Sequence, residues 1–146
     1  MFIIYNNLKK PMKKTLVIAI FLFAALFVIQ GITKAQNLYF CEGVSKDGQP
    51  ETPSSTFSIP SSGGYFYFLV RLPYGVGCNA VDYVLYKNDS RGNPKYYTTI
   101  TQDALGTDWT WFWKKVTFTD VGDFRIDVVD CTSATLVSNY VTVKYQ

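Results

Sequence analysis

The chain has 146 residues, 48% of them apolar and 17% aromatic, which is enough for one buried core. It contains no histidine, so it lacks the residue on which most hydrolytic triads and imidazole metal centres depend. The formal charge of +3 is unevenly placed: five lysines and no acid fall in the first 35 residues, and the remainder carries about −2. No basic cluster is left there to bind a nucleic acid.

Lys9, Lys10, Lys13 and Lys14 precede the apolar run Leu16 to Ile29, and the small residues Thr33 and Ala35 follow it. This order predicts a secretory signal peptide over residues 1–35, cut after Ala35, and a mature domain over 36–146. Met12-Lys-Lys-Thr makes a compact start for such a signal. The apolar run is shorter than the ~20 residues that a spanning helix requires, so no stable membrane span is expected after cleavage. Leu38-Tyr-Phe places bulky residues before Cys41, where lipidation needs small ones. The expected location is secreted, periplasmic or at the cell surface.

From Asn37 the chain alternates β-forming runs with turn residues. Asn37 to Glu42 reads as a first strand, and Lys46-Asp-Gly-Gln-Pro50 as a turn. Thr52 to Ser55 reads as a polar loop, and Thr56 to Ile59 as a short edge piece ending at Pro60. Tyr65 to Leu72 is a strand that directs Phe66, Phe68, Val70 and Leu72 inward and Tyr65, Tyr67, Leu69 and Arg71 outward. Val81 to Asn88 follows with Val81, Tyr83 and Leu85 inward. The turn Asp89 to Pro94 leads to Lys95 to Thr101, where Tyr96, Thr98 and Ile100 alternate. Trp109 to Phe118, Asp123 to Asp130 and Leu136 to Tyr145 complete seven main strands. Turn signals recur every 8 to 12 residues and no helical period appears, which predicts an all-β sandwich.

Asp120-x-Gly122-x-Phe124-x-Ile126 resembles the D-x-G-x-Tyr-x-Cys corner of immunoglobulin-like and fibronectin type III-like sandwiches, with Phe for Tyr and Ile for Cys. The resemblance covers about seven residues. It implies a two-sheet antiparallel Greek-key sandwich. The short connection after Asn88 favours a hairpin, which places the third and fourth main strands in one sheet with the last two and leaves the first, second and fifth in the other. A constant-immunoglobulin arrangement, with the fourth strand moved across, remains open.

In such a sandwich the loops holding Cys78 and Cys131 lie at one end, which predicts a bridge between them and a free, partly buried Cys41 on the first strand. Pairing of Cys41 with either would require the first strand's cysteine to reach that end. The second and fifth main strands should pair antiparallel. If Trp113 lies opposite Tyr67, then Trp111 lies opposite Leu69, Lys115 opposite Tyr65, and Trp109 opposite Arg71, with a cation–π contact in the last pair.

Trp109, Trp111 and Trp113 alternate and share one face of their strand. With a regular strand they face outward, where indoles can stack on the C–H faces of pyranose rings while Tyr65, Tyr67 and Arg71 extend the surface. With a bulge at Lys114-Lys115 they turn inward and join the core. The remaining polar residues suggest no chemistry. Ser54, Ser55, Ser61 and Ser62 read as turns, and Asp103 and Asp108 as solvated loop carboxylates. Asp120, Asp123 and Asp130 lack calcium-loop spacing. No catalytic residue, metal or cofactor is expected. The expected function is a non-enzymatic adhesion, binding or assembly module with a protein or polysaccharide partner outside the cell. The alternatives are a carbohydrate-binding module using the tryptophan face and a hydrolase-inhibitor domain.

Overall fold

A computed structural model describes residues 35–146, so the predicted export signal lies outside the described residues except for Ala35. The described chain forms nine strands: β1 (Asn37–Val44), β2 (Pro50–Pro53), β3 (Thr56–Ile59), β4 (Gly64–Arg71), β5 (Val81–Asn88), β6 (Pro94–Gln102), β7 (Trp111–Phe118), β8 (Gly122–Val129) and β9 (Thr135–Tyr145). They make two sheets, ordered β2-β1-β4-β7 and β3-β9-β8-β5-β6, packed as a sandwich. The seven main strands divide between the sheets as the connection lengths predict. The two additions are short edge strands. β2 runs through residues expected to be turn and loop, because prolines at both its ends are tolerated where one side of a strand has no ladder to complete. β3 adds to the last strand in parallel register, Thr56 beside Thr142 and Ile59 beside Tyr145.

Period-two patterning decides what is buried. Phe66, Phe68 and Val70 of β4, Val81, Tyr83 and Leu85 of β5, and Phe124, Ile126 and Val128 of β8 all lie in the core. The core is unusually aromatic. Phe66 stacks on Phe57 at 4.1 Å and on Phe118 at 4.7 Å between ring centroids, which joins β3, β4 and β7, and Phe118 meets Phe124 of the opposite sheet edge-on at 5.3 Å. Each such pair contributes about 0.5–1.5 kcal/mol beyond its buried area.

Both open sides of the sandwich are tied by polar contacts. On one, Asn139 donates to the Leu38 carbonyl at 2.7 Å. On the other, Gln102 at the end of β6 donates to the Trp113 carbonyl at 3.0 Å, and Lys114 donates to the Thr101 carbonyl at 3.3 Å. Lys114 has the parity of Phe112 and Val116, so its stem enters between the sheets. An inward-pointing charge on an edge strand hinders pairing with another chain. On β6 the register slips between Leu85 and Tyr86, and Tyr97 becomes the extra residue. That turns Tyr97 onto core Phe124 at 5.4 Å and leaves Tyr96 exposed, where strict alternation had grouped Tyr96 with Ile100.

The corner that opens β8 is held by charge. Lys87 of β5 pairs with Asp120 at 2.5 Å, and Asp120 also accepts the Val121 N–H at 2.9 Å. Gly122 has φ +145 and lies where a Cβ would stand 2.9 Å from the Lys87 stem. At one end of the sandwich Cys78, before β5, is bonded to Cys131, after β8, with Cα atoms 5.9 Å apart and a sequence separation of 53. Cys41 is free and fully buried.

Removing the bridge with Cys78→Ser and Cys131→Ser together is expected to lower the unfolding free energy by about 2–5 kcal/mol, read as an earlier urea midpoint with a steeper slope, because the unfolded chain without the cross-link exposes more surface. An unchanged midpoint would mean that the cross-link does not constrain the unfolded chain. A second expectation concerns acid. The Lys87 hydrogen bond is the main cause that holds the Asp120 carboxyl below its usual range. The resulting stabilisation is fully present above the unfolded carboxyl value of about 3.9 and is lost as pH falls through the lower folded value. Because 42% of the Asp120 side chain is exposed, it amounts to less than about 1 kcal/mol. Asp120→Asn should therefore be less stable than wild type at pH 7 and approach it at about pH 2 to 3, a convergence that a pH series of thermal melts measures.

Candidate functional site

The outer face of the four-stranded sheet is built in cross-strand rows. Tyr39, Leu69 and Trp113 form one row, Asn37, Arg71 and Trp111 a second, and Pro53, Cys41, Tyr67 and Lys115 a third. No bulge interrupts the pairing of β4 with β7, so Trp111 and Trp113 point away from the core while Phe112, Val116 and Phe118 point into it. The register differs from the expected one by two residues: Trp113 lies opposite Leu69, Trp111 opposite Arg71, Lys115 opposite Tyr67 and Thr117 opposite Tyr65. An even slip preserves every inward and outward assignment, so patterning does not distinguish the two registers.

Leu69 and Cys41 have outward parity and are nevertheless fully buried, because large neighbours in their rows close over them. The Tyr67 ring meets Trp113 edge-on at 5.4 Å and Tyr65 edge-on at 6.2 Å. The Lys115 ammonium sits 3.6 Å from the centre of the Tyr65 ring. The Cys41 thiol faces the Tyr67 carbonyl at 3.8 Å, and burial pushes its pKa up, which keeps it protonated and poorly nucleophilic.

The hairpin tip between β1 and β2 folds onto this face. The Ser45 carbonyl accepts the Gly48 N–H at 3.0 Å, and Gly48, at φ +68, lies directly against the Trp111 indole. A Cβ at Gly48 would stand 2.7 Å from Cε2 of that ring and closer still to Cδ2. Gln49 accepts a hydrogen bond from Arg71 at 2.7 Å. Arg71 is thereby committed to the hairpin, and the expected Arg71–Trp109 cation–π pair does not form; the cation–π contact on this face is Lys115 on Tyr65.

Trp109 is not on the strand. Its N–H donates to the Gly106 carbonyl at 3.0 Å, closing a turn, and its carbonyl accepts the Val76 N–H at 2.9 Å. These bonds peel the chain away from β4, and β7 begins at Trp111. The Trp109 indole lies over Gly106, and a Cβ there would also stand 3.0 Å from an Asp108 carboxylate oxygen. Trp109 and Trp113 are 47% and 45% exposed, whereas Trp111 is half-buried between them. The three indoles border a cleft of about 550 Å³ that is also lined by Gln102, Asp108 and Thr110. A second cleft of about 340 Å³, lined by Tyr39, Asn37, Arg71 and Pro73, adjoins Trp111 on its other flank.

Gln102, a polar residue at the end of β6 with no sequence motif to mark it, accepts from the buried Tyr83 hydroxyl at 2.8 Å and donates to the Trp113 carbonyl. It fixes the edge strand that carries the exposed indole. Gly48 had a visible signal, since Asp47-Gly48 is a hairpin-tip dipeptide, but its contact with Trp111 depends on tertiary packing. The arrangement places apolar ring faces beside the Asp108 carboxylate and the Thr110 hydroxyl. No set of three or more metal-ligating side chains converges among the described residues. No protein-family model matches the sequence, and no curated protein matches it.

Gly48→Ala is expected to destabilise the domain by at least about 1 kcal/mol, from its left-handed backbone and the collision with Trp111. The change should register in the thermal midpoint and in the near-ultraviolet circular dichroism of tryptophan; a neutral outcome would show that the hairpin tip moves freely off the indole.

Proposed function

We propose that the chain is an exported, non-catalytic, immunoglobulin-like Greek-key module that binds polysaccharide on the aromatic face of its four-stranded sheet. The observation that carries the reading is the exposure of Trp109 and Trp113 on either side of Trp111 around one cleft. Indoles turned toward water lose the burial that would otherwise reward them, so a ligand that covers them recovers it. Pyranose rings offer C–H faces to such indoles and keep their hydroxyls hydrogen-bonded at the rim. The cleft volume lies within the range of small-ligand sites.

The strand order supports the immunoglobulin-like part of the reading: the sheets contain the main strands that the fibronectin-type arrangement assigns to each. The corner at Asp120 supports it less strongly, because Phe124 has no hydroxyl with which to close a tyrosine corner. The Cys78–Cys131 bridge agrees with folding in an oxidising compartment. Among the described residues no helix is long and apolar enough to cross a membrane. The absence of histidine from the whole chain and the lack of an activated nucleophile at the cleft support a binding role over catalysis.

A glycan array read with wild type, Trp109→Ala and Trp113→Ala tests the proposal. Each substitution is expected to weaken binding roughly tenfold, equivalent to about 1.4 kcal/mol, with binding compared under conditions where each variant is fully folded, because Trp113 also packs on Tyr67 and covers Leu69. Absence of wild-type binding to any polysaccharide would remove the carbohydrate reading and leave a protein partner on this face.

A further inference from the structure

The cleft bordered by the three indoles carries one ionisable side chain, and it is an acid. Its lining is Gln102, Asp108, Trp109, Thr110, Trp111, Phe112 and Trp113, and Asp108 belongs to none of the ion pairs among the described residues. The cationic side chains close to it in sequence or register are engaged elsewhere. Lys114 follows Trp113 but points between the sheets to the Thr101 carbonyl, Lys115 caps Tyr65, and Arg71 is held by Gln49 across Trp111. The other long polar side chain, Gln102, is bonded at its carbonyl to Tyr83 and at its amide to Trp113. The free hydrogen-bonding groups of the cleft are therefore the Asp108 carboxylate, the Thr110 hydroxyl and the indole N–H donors of the three tryptophans, and Asp108 is the one charged acceptor among them. The carboxylate oxygen and the Trp109 indole nitrogen converge over Gly106, whose missing side chain leaves the space they share.

We infer that this cleft selects uncharged hexopyranose chains and rejects uronic-acid and sulfated ones, an inference that rests on the polysaccharide reading above. A carboxylate only accepts hydrogen bonds, so it suits hydroxyl donors, two of which it can take at once. The indole N–H supplies a donor beside it for a sugar oxygen. An anionic sugar at the same place sets a second negative charge against Asp108 in a site partly shielded from water by three indoles, where repulsion is stronger than in bulk solvent. Gly106 has a positioning role: an added Cβ would stand 2.6 Å from the indole Cδ1 and displace the ring.

The test is affinity electrophoresis and calorimetry of the mature chain with neutral hydroxyethyl cellulose, laminarin and galactomannan against carboxymethyl cellulose, polygalacturonate and dextran sulfate. Wild type is expected to bind at least one neutral chain and to bind the acidic chains at least tenfold more weakly in dilute buffer, with the gap narrowing as salt screens the charges. Asp108→Asn should weaken neutral binding severalfold and shrink the gap to within about threefold. Asp103→Asn, which removes the same charge from the start of the same β6–β7 connection but outside the cleft, should leave the gap unchanged. Equal wild-type affinity for neutral and acidic chains, or a gap that survives Asp108→Asn, overturns the selectivity while leaving polysaccharide binding standing. Failure of wild type to bind any of the six overturns both.

Discussion

A single buried hydroxyl couples the core of this domain to its aromatic face. Tyr83 is fully enclosed between the sheets, and a phenol in that position needs a hydrogen-bond partner. Its burial raises the phenol pKa, so the group stays neutral and can donate. The acceptor is Gln102, whose amide reaches on to the Trp113 carbonyl. Thus the demand of one core residue fixes the end of β6 in the five-stranded sheet, ties it to the free edge of β7 in the four-stranded sheet, and holds the strand that presents Trp113. The tie spans the two layers at a place where no backbone ladder can join them.

Above the four-stranded sheet the side chains make a thin second layer of packing. Leu69 and Cys41 lie beneath Tyr39, Tyr67, Pro53 and Trp113, and the tip of the β1–β2 hairpin folds onto Trp111. The face is accordingly preorganised: its tyrosines and Trp111 are fixed by what they cover, and the exposed parts of Trp109 and Trp113 project from a supported surface. Such support reduces the conformational entropy lost when a ligand settles on it. The sheet edges are defended in different ways, by prolines at the ends of β2, by the shortness of β3, by Lys114 on β7 and by the bulge at Tyr97 on β6.

Alternation along the strands made most of this architecture readable from the residues. The inward sets of β4 and β5, the division of the main strands between sheets and the pairing of Cys78 with Cys131 all follow from side-chain period and connection length, whereas the side taken by Trp111 and Trp113 depended on whether a bulge interrupts β7, and none does. What escaped the reading has physical reasons. The β4–β7 register slipped by two residues because an even slip leaves the faces unchanged and the loop before Trp109 is too long to set it. Trp109 left the strand because Gly106 and Val76 compete for its backbone. Tyr97 came to rest against Phe124, still partly exposed, because a bulge breaks the period locally. Lys114 lies on the inner face because a long stem can deliver its charge to a carbonyl at the rim. Gly48 and Gln102 act on the site through contacts made only after the sheets have packed.

All three tryptophans of the chain border this one cleft, and the core is built of phenylalanine, tyrosine and aliphatic residues. Emission excited at the red edge of protein absorption therefore originates from the candidate site alone. The half-buried Trp111 and the two more exposed indoles should differ in emission wavelength and in access to iodide or acrylamide. The molecule thus carries an optical reporter at the place where a ligand would act, and its response can be separated from events in the core without adding any label.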